Sequence, residues 1–355
     1  MLPVDITLGV HFNMRMEKKR ILSLLISIVI SAILIWFLLT KIEFKDFMQT
    51  FSRIYIPGLL AFMIIALIGA TLRAWRYKWL LLPHHSSWRD VFLVTFIRNL
   101  FVDLFPARIG SLSYVYVLNK SLKYSFESAS SSFVVAFVLD FLTLSPFLAF
   151  AILAVGLGKT SISNGTLLAI SFIFFLLVFL VFRKVAKIAG TALKAYQWLL
   201  HVIKQDKKKW AEVSVHKLLL TIDELNKIKE RRIGWPLFVL SLGIRLAKYS
   251  ALFFLLYALL RSHGFSLESL SFSKTILGIT GAELTSALPI KGIGGFGTWE
   301  SAWALTLMLM GFEKRIAILS SGVHLITNLF EYALGIGCIL FLTLFHSQKK
   351  RNTKD

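Results

Sequence analysis

The sequence predicts an all-α polytopic membrane protein with about six full spans and two oppositely oriented re-entrant helical hairpins in an inverted repeat. Three observations predict this class. Of 355 residues, 56% are apolar, which exceeds what the core of a soluble domain of this size needs. The formal net charge is nevertheless +21, and the basic residues cluster between long apolar stretches. The single cysteine, Cys338, excludes a disulfide-stapled secreted scaffold.

Six apolar stretches are long enough to cross a hydrocarbon core of roughly 30 Å as helices of about 20 residues. They are Ile21–Thr40, Ile56–Leu72, Phe133–Gly156, Leu167–Phe182, Pro236–Leu260 and Ile316–Phe345. No small-residue cleavage site follows the first stretch, so it is predicted to be a signal anchor.

Two further apolar regions, Val91–Phe105 and Thr275–Phe312, do not fit a simple span. The first is short and contains charged residues. The second is long enough to cross, but Pro289 and several glycines interrupt its middle. Both are predicted to be re-entrant hairpins, because irregular backbone at membrane depth is tolerated only where protein or water covers it.

The distribution of basic residues predicts the orientation. Basic residues flank the first span, follow the second and form the tail, and residues 183–232 carry thirteen Lys and Arg against five acids. By the positive-inside rule all four segments are cytoplasmic, which places the protein in the cell membrane with both termini inside. Parity then requires the first hairpin to open to the cytoplasm and the second to open to the outside.

This topology predicts one membrane domain made of two inverted halves, residues 21–156 and 157–345. The second half contains a basic amphipathic insert, 183–232, and a basic tail, 346–355, follows it. The hairpin tips share a short pattern, since Pro106–Gly110 and Pro289–Gly292 each have proline, a cation two residues later and then glycine. Transporters with inverted repeats bind substrate near the midplane, where the broken helices meet.

The cytoplasmic insert has helical periodicity, with Leu218, Ile222, Leu225 and Ile228 on one face. Its Lys207–Trp210 segment adds a basic cluster and an aromatic residue. An amphipathic helix pair resting on anionic lipid fits this pattern. An insert that only sets the topology fits it equally well.

Ionisable and polar residues recur where lipid would surround a helix. Those within the spans and hairpins are Arg98, Asp103, Arg108, Asp140, Arg245, Lys248, Glu283, Lys291, His324, Asn328 and Glu331. One charge at mid-bilayer costs about 2.5–3.5 kcal/mol, so these side chains are expected to face one another or water. A purely structural alternative is an internal ion pair, such as Asp140 or Glu331 with Arg245. The group contains five cations and four carboxylates, which favours a slightly cationic cavity for an anionic head group.

A glycine-rich segment at the second hairpin contains Gly292, Gly294, Gly295 and Gly297. It lacks the Gly-Lys-Ser/Thr ending and the preceding strand of a soluble nucleotide loop. The glycines allow a tight reversal, and the next helix begins at Thr298 with amides that attract anions. Glu300 in its first turn either stabilises the helix terminus, gates the site or carries a proton.

Other motifs contribute less to the function. The basic-aromatic segment Arg73–Trp79 is typical of an interfacial anchor, with head-group binding as the weaker alternative. His84 and His85 have no acid or cysteine spacing that predicts a metal site. No zinc-ligand spacing or RNA-binding signature predicts nucleic-acid binding. No ATP-binding motif and no cofactor motif is present.

Three segments resemble the lysylphosphatidylglycerol synthase transmembrane-region family of flippase-like membrane proteins. Leu72–Leu81 resembles the family's Arg-x-x-Arg-Trp stretch, Arg98–Gly110 its Asn…Pro-x-Arg-x-Gly hairpin, and Pro289–Glu300 its Pro-x-x-Gly-Gly-x-Gly-x-x-Glu loop. The resemblance covers nearly the whole chain. It implies movement of a phospholipid or polyprenyl-linked lipid between leaflets.

Two departures from the family pattern affect what the resemblance implies. The family often has Glu and Arg where this sequence has Ser111 and Tyr114, which leaves the substrate less defined than the fold. The aminoacyl-transferase domain of the two-domain relatives is also absent, so synthesis of lysyl lipid is not expected.

The sequence therefore favours a non-enzymatic lipid transporter. The residues expected to bind substrate are Arg98, Asp103, Arg108, Arg245, Lys248, Glu283, Lys291, Gly292, Gly294, Gly295, Gly297, Glu300, Asn328 and Glu331. One alternative is a membrane-embedded head-group or glycosyl transferase that uses Asp103 or Glu300. Another is a scaffold that recruits a lipid-synthesis enzyme through the basic insert.

Overall fold

The computed structural model describes residues 44–81, 86–155, 163–285 and 296–351. Every regular element in these ranges is helical. Five helical segments are long and apolar enough to cross a membrane, namely Ile56–Leu80, Phe126–Val155, Gly165–Arg183, Gly234–His263 and Lys314–Leu344. They overlap five of the six predicted spans, and the remaining one, Ile21–Thr40, lies outside the described residues.

The helices are numbered here in chain order within the described ranges. They are α1 (Phe44–Ser52), α2 (Ile56–Leu80), α3 (Trp88–Leu104), α4 (Ser113–Tyr116), α5 (Phe126–Leu142), α6 (Leu144–Val155), α7 (Asn164–Arg183), α8 (Val185–Val202), α9 (Lys209–Glu230), α10 (Gly234–Leu260), α11 (Leu267–Leu270), α12 (Phe272–Thr285), α13 (Thr298–Leu309), α14 (Lys314–Ser320) and α15 (Gly322–Arg351). A 3₁₀ segment, Pro106–Leu112, joins α3 to α4.

Serine residues fix the start of three helices. Ser87 accepts a hydrogen bond from the Asp90 backbone N–H at 3.1 Å. Ser125 and Ser163 cap α5 and α7 in the same way. Each cap satisfies one of the N–H groups that the first helical turn leaves without an intrahelical partner.

The longest packing interface joins α2 and α10, which run antiparallel. Small residues bring their backbones together: a Cβ on Gly58 would lie 3.0 Å from the Ala258 Cβ, and one on Gly69 would lie 3.3 Å from the Ala247 Cβ. Close approach at small residues is the usual way that helices associate in lipid, where the hydrophobic effect does not drive helices together. This pair forms one wall of the site described below.

Helix α3 packs along α15. Gly335 makes this contact close, since a Cβ there would lie 2.5 Å from the Leu100 Cβ and 3.0 Å from the Phe96 carbonyl oxygen. At 17 residues α3 is about 25 Å long, shorter than a typical span. It coincides with most of the first predicted hairpin.

Helices α12 and α13, of 14 and 12 residues, pack against each other within the second predicted hairpin. Each is too short to cross the bilayer alone. Gly278 and Gly281 permit the contact, because a Cβ on Gly281 would lie 2.3 Å from Thr306 Oγ1. Residues 286–295, between the two helices, lie outside the described residues.

The insert forms two helices, α8 and α9, as predicted. The apolar face predicted from Leu218 to Ile228 is covered at its C-terminal end. Leu225 and Ile228 are buried, because α9 packs against α5 and α8, whereas Leu218 is exposed. Contact of the insert with lipid stays a prediction.

Candidate functional site

A cavity of about 240 Å³ lies inside the helix bundle. Helices α2, α3, α5, α10, α12, α13 and α15 contribute to its wall. Its charged and titratable lining residues are Arg73, Arg98, Asp140, Arg245, Lys248, Glu283, His324 and Glu331. The sequence predicted that most of these side chains would meet, and the structure brings them together around one space.

Arg73 and Arg98 share a single acceptor, the side-chain oxygen of Asn99. Arg73 Nη1 donates to Asn99 Oδ1 at 2.8 Å, and Arg98 Nη1 donates to the same atom at 3.4 Å. Among the side chains that the structure describes, no carboxylate forms a salt bridge with either guanidinium, and both Nε atoms are buried without a hydrogen-bond partner. The two guanidinium groups therefore lie close together, and each keeps a buried N–H donor without a partner among the described residues.

Arg76, one turn after Arg73, is fully buried and pairs with Asp140. Arg76 Nη1 lies 2.6 Å from Asp140 Oδ1 and also donates to Ser241 Oγ at 3.0 Å. The prediction that the Arg73–Trp79 segment is an interfacial anchor is wrong for Arg76, as it is for the buried Tyr77. The segment belongs to α2, whose inner face carries its charges into the bundle.

Arg245 and Lys248 of α10 both contact Glu283 of α12. Arg245 Nη1 lies 3.4 Å from Glu283 Oε2, while Lys248 Nζ contacts Glu283 Oε1. Arg245 also donates to Thr143 Oγ1 at 3.2 Å and to the Asp140 backbone oxygen. The pairing of Arg245 with a carboxylate was predicted, but its partner is Glu283, whereas the Asp140 carboxylate pairs with Arg76.

Glu300 joins the start of α13 to α15. Its Oε2 accepts from the Gly297 N–H at 2.7 Å, and its Oε1 lies 2.5 Å from His324 Nδ1. Asn328 Nδ2 lies 3.2 Å from His324 Nε2. Because an amide nitrogen only donates, Nε2 accepts here and the ring proton lies on Nδ1, facing Glu300. The positive φ of Gly297, 84°, favours glycine at this position.

Glu300 has the first of the roles predicted for it and a second contact that the prediction did not include. The carboxylate stabilises the helix terminus, as one interpretation predicted, because it accepts from the backbone at Gly297. It also holds His324, which lines the cavity and stacks on Trp299 with ring centroids 4.5 Å apart. Glu300 thus connects the glycine-rich segment to the cavity wall.

Six of the predicted site residues line the cavity: Arg98, Arg245, Lys248, Glu283, Asn328 and Glu331. Glu300 and Gly297 reach it through His324. Asp103 lies in the last turn of α3 and Arg108 lies in the 3₁₀ segment, but their side chains are outside what the structure describes. Lys291, Gly292, Gly294 and Gly295 also lie outside the described residues.

The predicted site omitted Arg73, Asn99 and Arg76. The sequence nevertheless contains a signal for Arg73, because Ala66, Gly69 and Ala70 precede it on the same face of α2. Small residues in a row mark the face on which a membrane helix packs closely against its neighbours. An arginine that continues such a row points inward.

The sequence matches the family described as the lysylphosphatidylglycerol synthase TM region over residues 24–335, which is most of the chain. No curated protein matches it. The family match and the apolar helices support a multi-pass membrane protein with a lipid-related role. The chain therefore belongs to the lysylphosphatidylglycerol synthase TM-region family.

Proposed function

We propose that this protein moves a phosphate-bearing lipid, an anionic phospholipid or a polyprenyl-linked lipid, between membrane leaflets. The observation that carries this proposal is the Arg73–Asn99–Arg98 cluster. Two guanidinium groups share one neutral oxygen and retain buried donors without partners among the described residues. Such an arrangement is costly unless an anion completes it, and arginine matches phosphate with two parallel hydrogen bonds.

The charge balance of the cavity supports an anionic ligand. Its described lining contains four cations, Arg73, Arg98, Arg245 and Lys248, and three carboxylates. Glu283 is already in contact with both Arg245 and Lys248, and the Asp140 carboxylate pairs with Arg76. Arg73 and Arg98 are therefore the lining cations that form no salt bridge with a described carboxylate.

The cavity volume favours a head group over a whole lipid. At about 240 Å³ it is smaller than the roughly 300–1,000 Å³ of a pocket for a drug-sized molecule. A phosphate head group would occupy it while the acyl or prenyl chains remain in the surrounding bilayer. This division lets the polar part cross through the protein without exposing the chains to water.

The short helices fit the topology expected of a transporter. In this proposal α3 and the α12–α13 pair enter the bilayer from opposite faces and return, and the cavity lies where they approach each other. The protein would then be an inverted repeat in the cell membrane with cytoplasmic termini. Broken helices of this kind place a substrate site near the bilayer midplane.

Glu300 has a positioning role in this proposal. Both of its oxygens are engaged, one by Gly297 and one by His324, and the side chain is buried. Glu300 therefore fixes the orientation of His324, and His324 is the member of the pair that lines the cavity. A transferase would instead use His324 as its acid or base, with Glu300 orienting the ring.

Lipid exchange in reconstituted vesicles tests the proposal. Vesicles of phosphatidylcholine and phosphatidylglycerol receive a trace of fluorescent phosphatidylglycerol, and dithionite quenching reports how much of it changes leaflet. Parent protein should accelerate exchange, and Arg73→Gln or Arg98→Gln should each slow it about tenfold or more, since each removes a charge-assisted contact of about 1.5–3 kcal/mol.

Arg89→Gln is the matched control, because the Arg89 side chain is 63% exposed and lies outside the cavity. Repeating the assay with a polyprenyl phosphate distinguishes the two lipid classes, and a fluorescent diacylglycerol tests whether phosphate is needed. Absence of exchange with the parent under any imposed gradient would overturn the proposal. Equal rates for the parent and both cavity variants would do the same.

A further inference from the structure

Helix α8 has an apolar stripe that no described part of the protein covers. Its members recur every three or four residues and are Ile188, Ala192, Ala195, Leu199 and Val202, with Trp198 at one edge. Trp198 is 67% exposed and Val202 is 55% exposed. Another side of the helix packs on α9, where Tyr196 Oη lies 3.0 Å from Ser214 Oγ, and Leu193 and Leu200 on this side are buried. The stripe therefore faces away from the rest of the protein, whereas another face of α8 packs on α9.

The stripe continues the lipid-facing surface of the preceding span. On α7 the exposed residues Ile170, Ile173, Leu177 and Leu180 follow the same spacing. Lys184 separates the two helices, because its φ of −111° and ψ of 15° lie outside the α-helical region. Helix α8 is therefore not a straight extension of α7, and this break lets it lie along the membrane surface.

The length of the two helices limits where α8 lies. Together α7 and α8 contain 38 residues, or about 57 Å of helix, against a hydrocarbon core of roughly 30 Å. Helix α7 alone is long enough to cross. Helix α8 consequently starts at the membrane surface, where an apolar stripe meets the boundary between head groups and acyl chains.

The basic residues of α8 indicate which kind of membrane surface the helix contacts. The helix contains Lys187 and Lys194, has no acidic residue, and is followed by Lys204 and Lys207–Lys209, while His201 near its end contacts Asp206. Lys187 and Lys194 project beside the stripe, where a long side chain extends its ammonium to the head groups. Each basic residue near an anionic leaflet contributes about 1 kcal/mol.

We propose that the outer face of α8 is an interfacial membrane-binding surface for anionic lipid. The stripe from Ile188 to Val202 enters the head-group boundary of the leaflet next to α7, and the lysines bind anionic head groups. This contact with the membrane anchors the α8–α9 pair to the bilayer. Because α9 packs on α5, the contact also fixes the position of α5. The inference is independent of whether the protein moves lipid.

Spin-label accessibility tests this surface. Single cysteines replace Leu199 and Val202 in a Cys338→Ala background, and the protein is placed in vesicles of phosphatidylcholine alone or with phosphatidylglycerol. Labels at both positions should collide with oxygen more than with a water-soluble nickel complex. The oxygen-to-nickel ratio should rise when phosphatidylglycerol is added, and Lys187→Gln with Lys194→Gln should remove that rise.

Gln197→Cys is the matched control, because Gln197 is exposed on the same helix but points away from the stripe. Its label should remain accessible to nickel in both lipids. Equal nickel accessibility at all three positions would show that the stripe faces water and overturn the proposal. Shielding from both reagents with spin–spin coupling between labels would also overturn it, because a second copy of the chain would then cover the face.

Discussion

Arg76 and Asp140 form an ion pair inside the helix bundle, with 2.6 Å between Nη1 of the arginine and Oδ1 of the aspartate. The arginine side chain is fully buried, whereas 28% of the aspartate side chain is exposed, and Asp140 lines the cavity. The same arginine donates to Ser241, so the pair connects α2, α5 and α10. The Arg76–Asp140 pair therefore stabilises the bundle, whereas the neighbouring Arg73–Asn99–Arg98 cluster contains no carboxylate.

Asp140→Asn should destabilise the protein by about 3–5 kcal/mol, because it leaves a buried guanidinium without a counter-charge. Thermal unfolding of the purified protein in detergent measures this effect. The double variant Arg76→Met, Asp140→Leu should recover much of the loss, since both charges are then absent. Unfolding of Asp140→Asn at the parent temperature would contradict the structural role of the pair.

Arg73→Gln and Arg98→Gln should behave in the opposite way. Neither arginine has a carboxylate partner among the described residues, and the two cations repel each other across Asn99. Each substitution should leave the unfolding temperature unchanged or raise it while it slows lipid exchange. Loss of stability in proportion to loss of exchange would instead indicate that these residues only hold the fold together.

Glu300 makes one contact that caps the helix at Gly297 and another that holds His324, and two variants separate their effects. Glu300→Gln still accepts from the Gly297 N–H through its amide oxygen, but its NH2 group then faces the His324 Nδ1–H, so this contact and the negative charge are both lost and stability should fall by about 1–3 kcal/mol. Glu300→Ala loses the cap as well and should cost about 1 kcal/mol more. Both variants should lose lipid exchange when assayed beside the parent. Parental exchange by Glu300→Gln would exclude a role for that charge.

Two neighbouring glycines in α15 test the close packing of α3. Gly335→Ala should lower the unfolding temperature, because its Cβ would lie 2.5 Å from the Leu100 Cβ. Gly337→Ala is the matched control, since nothing described lies within 4 Å of its Cβ, and it should stabilise the helix by about 0.5–1 kcal/mol. If both variants unfold at the same temperature, α3 does not pack on α15 in this way.

The proposed hairpins predict which residues share a side of the membrane. Cysteines at Arg89 and Lys123 flank the first hairpin, and cysteines at Ser266 and Glu313 flank the second; all four positions are exposed. In a Cys338→Ala background the first two should react with an impermeant maleimide only from the cytoplasmic side. The other two should react only from outside. A flanking pair that labels from opposite sides would mean that its segment crosses the bilayer.

Hydropathy predicted the helices well because length and apolar content determine which segments span. It placed the end of α2 at Leu72, whereas the helix continues to Leu80, since the charges that interrupt an apolar window do not interrupt backbone hydrogen bonds. As a result Arg73 and Arg76 fell outside the predicted span, and they were interpreted as part of an interfacial anchor.

The sequence alone does not predict which carboxylate pairs with which cation. The expectation that buried charges converge was confirmed for Arg245 and Glu283, since isolated charges in lipid are costly. Which carboxylate meets which cation depends on the rotation of each helix about its axis. Asp140 faces Arg76 because α2 and α5 meet beside Ser241, a long-range contact that no local pattern records.

The proposed transport depends on a phosphate head group that binds in the cavity at Arg73 and Arg98. Native mass spectrometry of the intact protein, purified from membranes in mild detergent, detects such a lipid. The parent should retain a phosphate-bearing lipid, the Arg73→Gln, Arg98→Gln double variant should lose it, and Arg89→Gln should retain it. A parent that carries no such lipid, or a double variant that carries as much as the parent, would show that the cavity is not a head-group site.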